Sequence, residues 1–328
     1  MAATERVLSG FRPSGPLHIG HLVGALQNWV AMQANYECYF AICDWHALTS
    51  EYAHTERLRE YVFEMALDWL AAGLDPERST LFVQSRIKEH AELHLLLSMI
   101  VPLGWLERVP TYKEQQQQVV GRDLTNYGFL GYPVLQAADI LSYKAHWVPV
   151  GEDQISHLEL CREIVRRFNA LYGPVFPEPQ PKTTPVSRLP GTDGRKMSKS
   201  YNNAIYLSDT EAEVKKKILP MVTDPARVRR SDPGNPDVCP VFTLHKAFSP
   251  DSTLATVDRE CRRAGIGCLD CKGYLLDHLS PRLEPLRERR ASLASHPERV
   301  REILDGGATR ARKLASATLE EVRNAVRI

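Results

Sequence analysis

The chain has 328 residues, 43% of them hydrophobic and 25% charged, enough to bury a sizeable core and to exclude wholesale disorder. Its 41 basic and 40 acidic residues leave a formal net charge of +1. That excludes a globally basic nucleic-acid coat but permits a local basic face, and it points to no DNA partner. No apolar run reaches the ~18 residues of a membrane span. The first residues, MAATERVLSGF, lack a basic segment followed by an apolar core, so no secretory signal is read. The expectation is a cytoplasmic protein, where structural disulfides are rare and seven cysteines need another explanation.

In chain order, Arg6 to Ser9 predicts a short strand and Leu22 to Met32 a helix. Cys38 to Cys43 is an apolar run that reads as a buried strand; Leu58 to Ala71 is a helix pattern, and Thr80 to Gln84 is strand-like. Strands alternating with helices specify an α/β fold with a parallel sheet and crossover helices. From Tyr172 to Lys196, Pro174, Pro177, Pro179, Pro181, Pro185 and Pro190 forbid a single helix and predict an extended connector. Thr223 to Pro240 is a second irregular stretch. The remaining patterns are mainly helical, so the boundary between an α/β part and a helical part falls near residue 185. Val300 to Arg327 is one long amphipathic pattern, broken by Gly306 and Gly307. There is no internal repeat at the usual solenoid periods.

Between the first strand and the first helix lies SGFRPSGPLHIGH, Ser9 to His21. Gly10, Gly15 and Gly20 permit close approach of backbone to a ligand, and the helix start offers unpaired amides to an anion. His18 and His21 can donate to phosphate oxygens. On glycine spacing alone, a turn with surface histidines explains the segment as well. The tetrapeptide His18-Ile19-Gly20-His21, however, resembles the HIGH signature of class I aminoacyl-tRNA synthetases. That resemblance predicts a downstream KMSKS motif, which is present unaltered as Lys196-Met197-Ser198-Lys199-Ser200.

The resemblance implies a Rossmann-like catalytic domain over 1–185 with a helical insertion, a KMSKS connector over 186–203, a smaller helical anticodon-binding domain over 204–297 and a C-terminal helix over 298–328. It implies a reaction in which an amino-acid carboxylate attacks the α-phosphorus of ATP, with Mg²⁺ accompanying the nucleotide. Such chemistry asks the protein for positioning and charge stabilisation. Lys196 and Lys199 would close over pyrophosphate with help from Ser198 and Ser200, and Met197 would pack beside adenine. Gly191 and Gly194 would be hinges, and Gly20 would let the nucleoside lie flat. Arg12, Pro13, Ser14, His21 and Val186 complete the implied ATP contacts. A third segment, VPVGEDQ from Val148 to Gln154, precedes a helix pattern. Gly151 allows close approach, Glu152 belongs to the same ATP loop, Asp153 can accept from ribose hydroxyls and Gln154 can orient a substrate. Helix capping by Asp153 is the plainer reading of the residues alone.

The helix pattern from Gly131 to Asp139 carries Tyr132, Gln136 and Asp139 on one face of an otherwise apolar segment. A buried carboxylate suits the indole N–H, the ring's one polar atom, yet a phenol hydroxyl would satisfy it too. The residues therefore specify an aromatic substrate with a donor. DWHALT around His46, the GEDQ segment and the chain's ending are similar to the tryptophanyl branch of the family, and the resemblance covers essentially the whole chain. It implies activation of L-tryptophan and its transfer to tRNA(Trp), with Tyr132, Gln136, Asp139, His46 and Gln154 around the amino acid. Gln136 and His21 depart from the Met and Asn common in that branch. Competing readings are a tyrosyl enzyme, a non-catalytic RNA-binding paralogue and a small-molecule adenylate-forming ligase.

Cys38, Cys43 and Cys161 sit in apolar patterns and read as inert core. Cys239, Cys261, Cys268 and Cys271 form Cys-x21-Cys-x6-Cys-x2-Cys. Four thiolates can hold zinc or a four-iron four-sulfur cluster (4Fe–4S), and the residues alone do not choose. The pattern, with AGIGC at Ala264 to Cys268, is similar to a subset of bacterial tryptophanyl enzymes that bind the 4Fe–4S cluster, so the cluster is expected first and zinc second. For tRNA, basic residues are grouped at Arg227, Arg229 and Arg230, and at Arg262, Arg263 and Lys272. Arg287, Arg289 and Arg290 read better as a solvated surface. The family implies a homodimer.

Overall fold

The structure is a computed structural model and describes residues 5–110, 124–151, 154–183 and 189–328. Five strands, β1 (Arg6–Phe11), β2 (Glu37–Ile42), β3 (Ser79–Val83), β4 (Trp147–Val150) and β5 (Gln180–Thr183), form one sheet ordered β3-β2-β1-β4-β5. Every pairing is parallel. β2 and β3 are buried at nearly every position, as apolar runs covered on both faces require. The strand order reverses at β1, which opens a crevice at the carboxyl ends of β1 and β4.

A helical run over 19–32, α1, follows β1, and its middle turn, Leu22–Leu26, is π-wound. Trp29 on α1 stacks on Phe11 and Phe40 with ring centroids 4.6 and 4.7 Å apart, fixing the helix to the sheet. Next come α2 (Asp44–Glu51) and α3 (Leu58–Ala72), the latter ending on Gly73 at φ 108°, a left-handed cap that favours glycine. Between β3 and β4 lie α4 (Glu89–Ser98) and α5 (Tyr132–Ser142), and between β4 and β5 lies α6 (Ile155–Tyr172). The helical region is α7 (Glu211–Ile218), α8 (Pro240–Phe248), α9 (Asp251–Arg262) and α10 (Cys268–Ala294), and the chain closes with α11 (Pro297–Val326).

Three local expectations are corrected. The proline-rich connector contributes β5; as an edge strand it accommodates Pro181, whose missing N–H leaves a bond unmade on one side only. Gly306 and Gly307 do not break the last helix. A Cβ on Gly307 would collide with the carbonyl oxygen of Leu81, so this glycine lets α11 lie directly on β3. Arg287, Arg289 and Arg290 are not a solvated face. Arg290 Nε donates to Asp68 at 2.8 Å and its guanidinium pairs with Glu64, while Arg289 Nε donates to the Ala71 carbonyl at 2.7 Å. Arg287 reaches the Asp209 carbonyl at 3.4 Å. Arg289 and Arg290 thus bind α10 to α3, and Arg287 binds it to the turn before α7. α11 packs on β3, α4 and α5, and Arg323 on it forks onto Glu92 with both bonds at 2.7 Å. No helix among the described residues is long and apolar enough to cross a membrane.

Candidate active site

A cavity of about 390 Å³ occupies the crevice where the strand order reverses. Gly10, Phe11 and Arg12 line it from the end of β1, and Val150, Gly151 and Gln154 from the end of β4. The π-wound turn of α1 supplies Gly24 and Ala25. The stripe expected on α5 is real: Tyr132, Gln136 and Asp139 all face the cavity, together with His46 from α2.

His18 caps α1, with Nδ1 accepting from the Gly20 N–H at 3.1 Å; His21 Nδ1 accepts from the His18 N–H at 3.2 Å. Each acceptor role assigns the proton of a neutral ring to Nε2. Both rings are held neutral: burial, then Lys199 and Lys196, lowers His18 to about 4, and burial, then His18, lowers His21 well below its ordinary value. The pair therefore offers two uncharged N–H donors. Gly20 is needed for a reason the sequence did not show, since a Cβ there would stand 2.9 Å from the His18 ring. Gly10 is needed because its Cβ would strike the Ala41 carbonyl on the neighbouring strand.

The first signature segment is joined through the backbone to the stretch that follows the second. Ile19 N–H donates to Ile205 O at 3.0 Å and Leu207 N–H to Leu17 O at 2.9 Å. Lys199 Nζ then reaches back to Gly15 O at 2.9 Å and to Ser14 Oγ at 3.2 Å. Burial lowers its pKa to about 8, reinforced by Arg12 and opposed by Asp68. Lys196 is exposed, Met197 is buried, and the Ser198 and Ser200 hydroxyls lie 2.8 Å apart. Pro13 is buried beneath the first loop. Of the expected hinges, Gly194 has φ 82°, a glycine conformation, but Gly191 is packed against the side chain of Asn203 with no room for a Cβ. Glu152, Asp153 and Val186 lie outside the described residues.

Asp139 is 4% exposed. His46 Nε2 lies 2.9 Å from Oδ2, Gln84 Nε2 donates to both oxygens at 2.8 Å, and His90 Nδ1 is 2.8 Å from Oδ1, off the line of a good hydrogen bond. Burial alone would raise this carboxyl, but the contacts from His46 and His90 reverse the effect and hold it well below the usual carboxylate range. Gln84 also accepts from the Trp45 and His46 N–H groups at 3.1 and 3.3 Å, so it fixes α2 and Asp139 together. His90 passes the chain on to the Tyr143 hydroxyl at 2.6 Å. His157, on the first turn of α6, lies 2.9 Å by Nδ1 from Gln136 Oε1. Sequence reasoning missed Gln84, His90 and His157; a polar residue inside an apolar run was the one available signal.

Cys38, Cys43 and Cys161 are buried and free, as expected, and burial raises their thiols. The other four cysteines stand at helix ends: Cys239 before α8, Cys261 at the end of α9, Cys268 and Cys271 at the start of α10. The other three all act electrostatically on Cys271, whose thiol burial raises to about 12. Four thiols are a donor set that zinc or an iron–sulfur cluster accepts, but among the described residues no three Cys, His, Asp or Glu converge tightly enough to hold a metal ion. Two residues expected to face RNA are engaged within the protein, Arg227 half-buried and Lys272 buried. Arg227 donates to the Ile266 carbonyl at 2.6 Å and lies 3.8 Å from Cys261 Sγ. Lys272 is 5% exposed and donates to the carbonyls of Leu219 and Met221 at 2.7 and 2.6 Å.

A parallel α/β sheet with its cavity at the strand reversal, and a lysine-bearing loop bonded over a histidine-capped helix start, define a class I synthetase catalytic domain. Comparison with known proteins agrees: the profile of the tRNA synthetases class I (W and Y) matches residues 2–284, and the chain belongs to that family. A tryptophan–tRNA ligase of Thermotoga maritima is 54% identical, with 98% of this chain and 99% of that one aligned. One from Deinococcus radiodurans is 44% identical over 98% of each. Among solved structures, the tryptophanyl-tRNA synthetase of Campylobacter jejuni complexed with ADP and tryptophan superposes with a TM-score of 0.89, at 36% identity over 98% of this chain and 100% of that one.

Proposed function

We infer that the chain is a tryptophan–tRNA ligase: it joins L-tryptophan to AMP at the expense of ATP and passes the tryptophyl group to tRNA(Trp). One observation carries this reading. The cavity beside the first signature segment is lined by Tyr132, Gln136 and Asp139, in a chain 54% identical to a curated tryptophan–tRNA ligase.

A tryptophan carboxylate oxygen attacks the α-phosphorus. The bond to the bridging oxygen breaks, and pyrophosphate leaves with the electron pair. No protein nucleophile is required; the protein positions the reactants and meets developing charge. His18 and His21 present neutral Nε2 donors to phosphate oxygens, and Lys196 and Lys199 receive the departing pyrophosphate with Ser198 and Ser200. Arg12, Pro13, Ser14, Gly20, Gly151, Glu152, Asp153, Val186 and Met197 form the ATP site, and Mg²⁺ neutralises phosphate charge when bound. Tyr132, Gln136, Asp139, His46 and Gln154 hold tryptophan. In the second step the terminal ribose hydroxyl of tRNA attacks the activated carbonyl and AMP leaves.

The division into a catalytic part over 1–185, a signature loop over 186–203, an anticodon-binding part over 204–297 and a final helix is part of this reading, as is a cytoplasmic location. Cys239, Cys261, Cys268 and Cys271 are assigned to a 4Fe–4S cluster, with zinc as the second choice, shaping the anticodon-facing region. A homodimer is supported by the apolar side chains exposed at Leu95, Met99 and Leu103 (54%, 70% and 58%). The test is charging of transcribed tRNA: tryptophan on tRNA(Trp) supports the reading, and tyrosine on tRNA(Tyr) overturns it.

A further inference from the structure

We propose that Asn203 is a positioning residue for the phosphate-handling loop: its buried carboxamide holds the peptide groups on both sides of Met197 and thereby aims Lys196 and Lys199. The proposal rests on the reading that those lysines serve ATP.

Asn203 is 2% exposed. A carboxamide offers one oxygen acceptor and two N–H donors, and here all are engaged on one loop. Oδ1 accepts from the Ser198 N–H at 2.8 Å; Nδ2 donates to the Lys196 carbonyl at 3.1 Å and to Asp193 Oδ1 at 2.7 Å. Its own carbonyl accepts from the Thr192 N–H at 2.9 Å. On the other edge the loop is bonded to residues 189–191, through Met197 N–H to Leu189 O at 3.0 Å and Gly191 N–H to Arg195 O at 2.7 Å. The side chain thus occupies the place of a second neighbouring strand. Gly191 leaves the space it needs, since a Cβ there would overlap the carboxamide. Two residues further on, the same segment pairs with the first signature through Ile205, so Asn203 refers the loop's geometry to the histidine pair. A buried amide whose bonds all end on one functional loop has little packing reason to be polar.

The decisive variant is Asn203→Asp. It keeps size but sets a carboxylate against the Asp193 carboxylate and the Lys196 carbonyl. Tryptophan-dependent ATP–pyrophosphate exchange should lose about 100-fold in kcat/KM for ATP, the scale of a misplaced catalytic group, with the KM for tryptophan changed less than about twofold. Adding Asp193→Asn restores a donor to the pair and should recover about tenfold or more of the loss. Gly191→Ala, which displaces the same carboxamide, should give the same split between ATP and tryptophan and serves if Asn203→Asp does not fold. Unchanged ATP kinetics in folded Asn203→Asp, or equal loss for both substrates with no rescue, would overturn the proposal and leave the proposed function standing. Silence of the unaltered chain with tryptophan would bring down the functional reading and this inference with it.

Discussion

Lys199 donates from its ammonium to the carbonyl oxygen of Gly15 at 2.9 Å, across 184 positions of sequence. A cation assigned to phosphate is therefore already held over the helix start by a neutral carbonyl and the Ser14 hydroxyl. An arriving phosphate would replace these neutral acceptors with anionic ones and add the direct attraction between opposite charges.

The same lysine sets a pH dependence. Burial lowers Lys199 to about 8, so the free enzyme loses this cation as pH rises through that value. The profile of kcat/KM for ATP, which reports the free enzyme, should fall above about pH 8. Lys199→Arg, whose charge does not titrate in this range, should be slower but should lack that descending limb. An identical limb in the variant would remove Lys199 from the explanation.

Asp139→Asn should damage both fold and substrate use. His46, Gln84 and His90 all place ring or amide nitrogens within 2.9 Å of the buried carboxylate. Losing one member of such a buried set costs about 3 kcal/mol, readable as a shift in urea unfolding. The KM for tryptophan should rise at least about tenfold, since the amide replaces one of the two acceptor oxygens with a donor and removes the charge the site is built around. Wild-type stability together with wild-type tryptophan kinetics would contradict the assignment.

Cys268→Ser tests the four-cysteine assignment. Protein purified without oxygen should contain iron, and the variant should lose it. Charging of tRNA(Trp) should then fall by a larger factor than pyrophosphate exchange, because the cysteines lie in the helical region and not at the cavity. Iron content equal in the two proteins would contradict the ligand assignment.

Gly306 and Gly307 make a matched pair on α11. Gly307→Ala pushes a methyl group into the Leu81 carbonyl and should destabilise by about 1–3 kcal/mol. Gly306 meets only the far end of the Arg310 side chain, at 3.7 Å. Gly306→Ala should therefore stabilise by about 0.5–1 kcal/mol, the usual gain from replacing a helical glycine. Thermal unfolding of the two variants separates these outcomes, and equal effects would contradict the close packing of α11 on β3.

Much of what is local was legible in the sequence, although the helix Asp44–Glu51 was not read. The strand and helix patterns up to Gln84, the two signature segments and the polar stripe on α5 each depend on neighbours within a few positions. What escaped depends on partners far along the chain. Gln84, His90 and Asn203 look like scattered polar residues until the fold brings them to Asp139 and to the signature loop. Gly307 read as an interruption because its reason is a carbonyl on β3, and Arg290 read as surface because Asp68 and Glu64 lie more than two hundred positions away. Lys272 and Arg227 misled in the same way: a basic residue in a basic run carries no mark of the backbone carbonyls it serves.

The most direct test of the account is ATP–pyrophosphate exchange by the purified chain, compared with tryptophan, tyrosine and phenylalanine. The account predicts exchange with tryptophan alone, with phenylalanine rejected because it would leave the polar end of the cavity unpaired. Exchange driven by tyrosine in preference to tryptophan would contradict it.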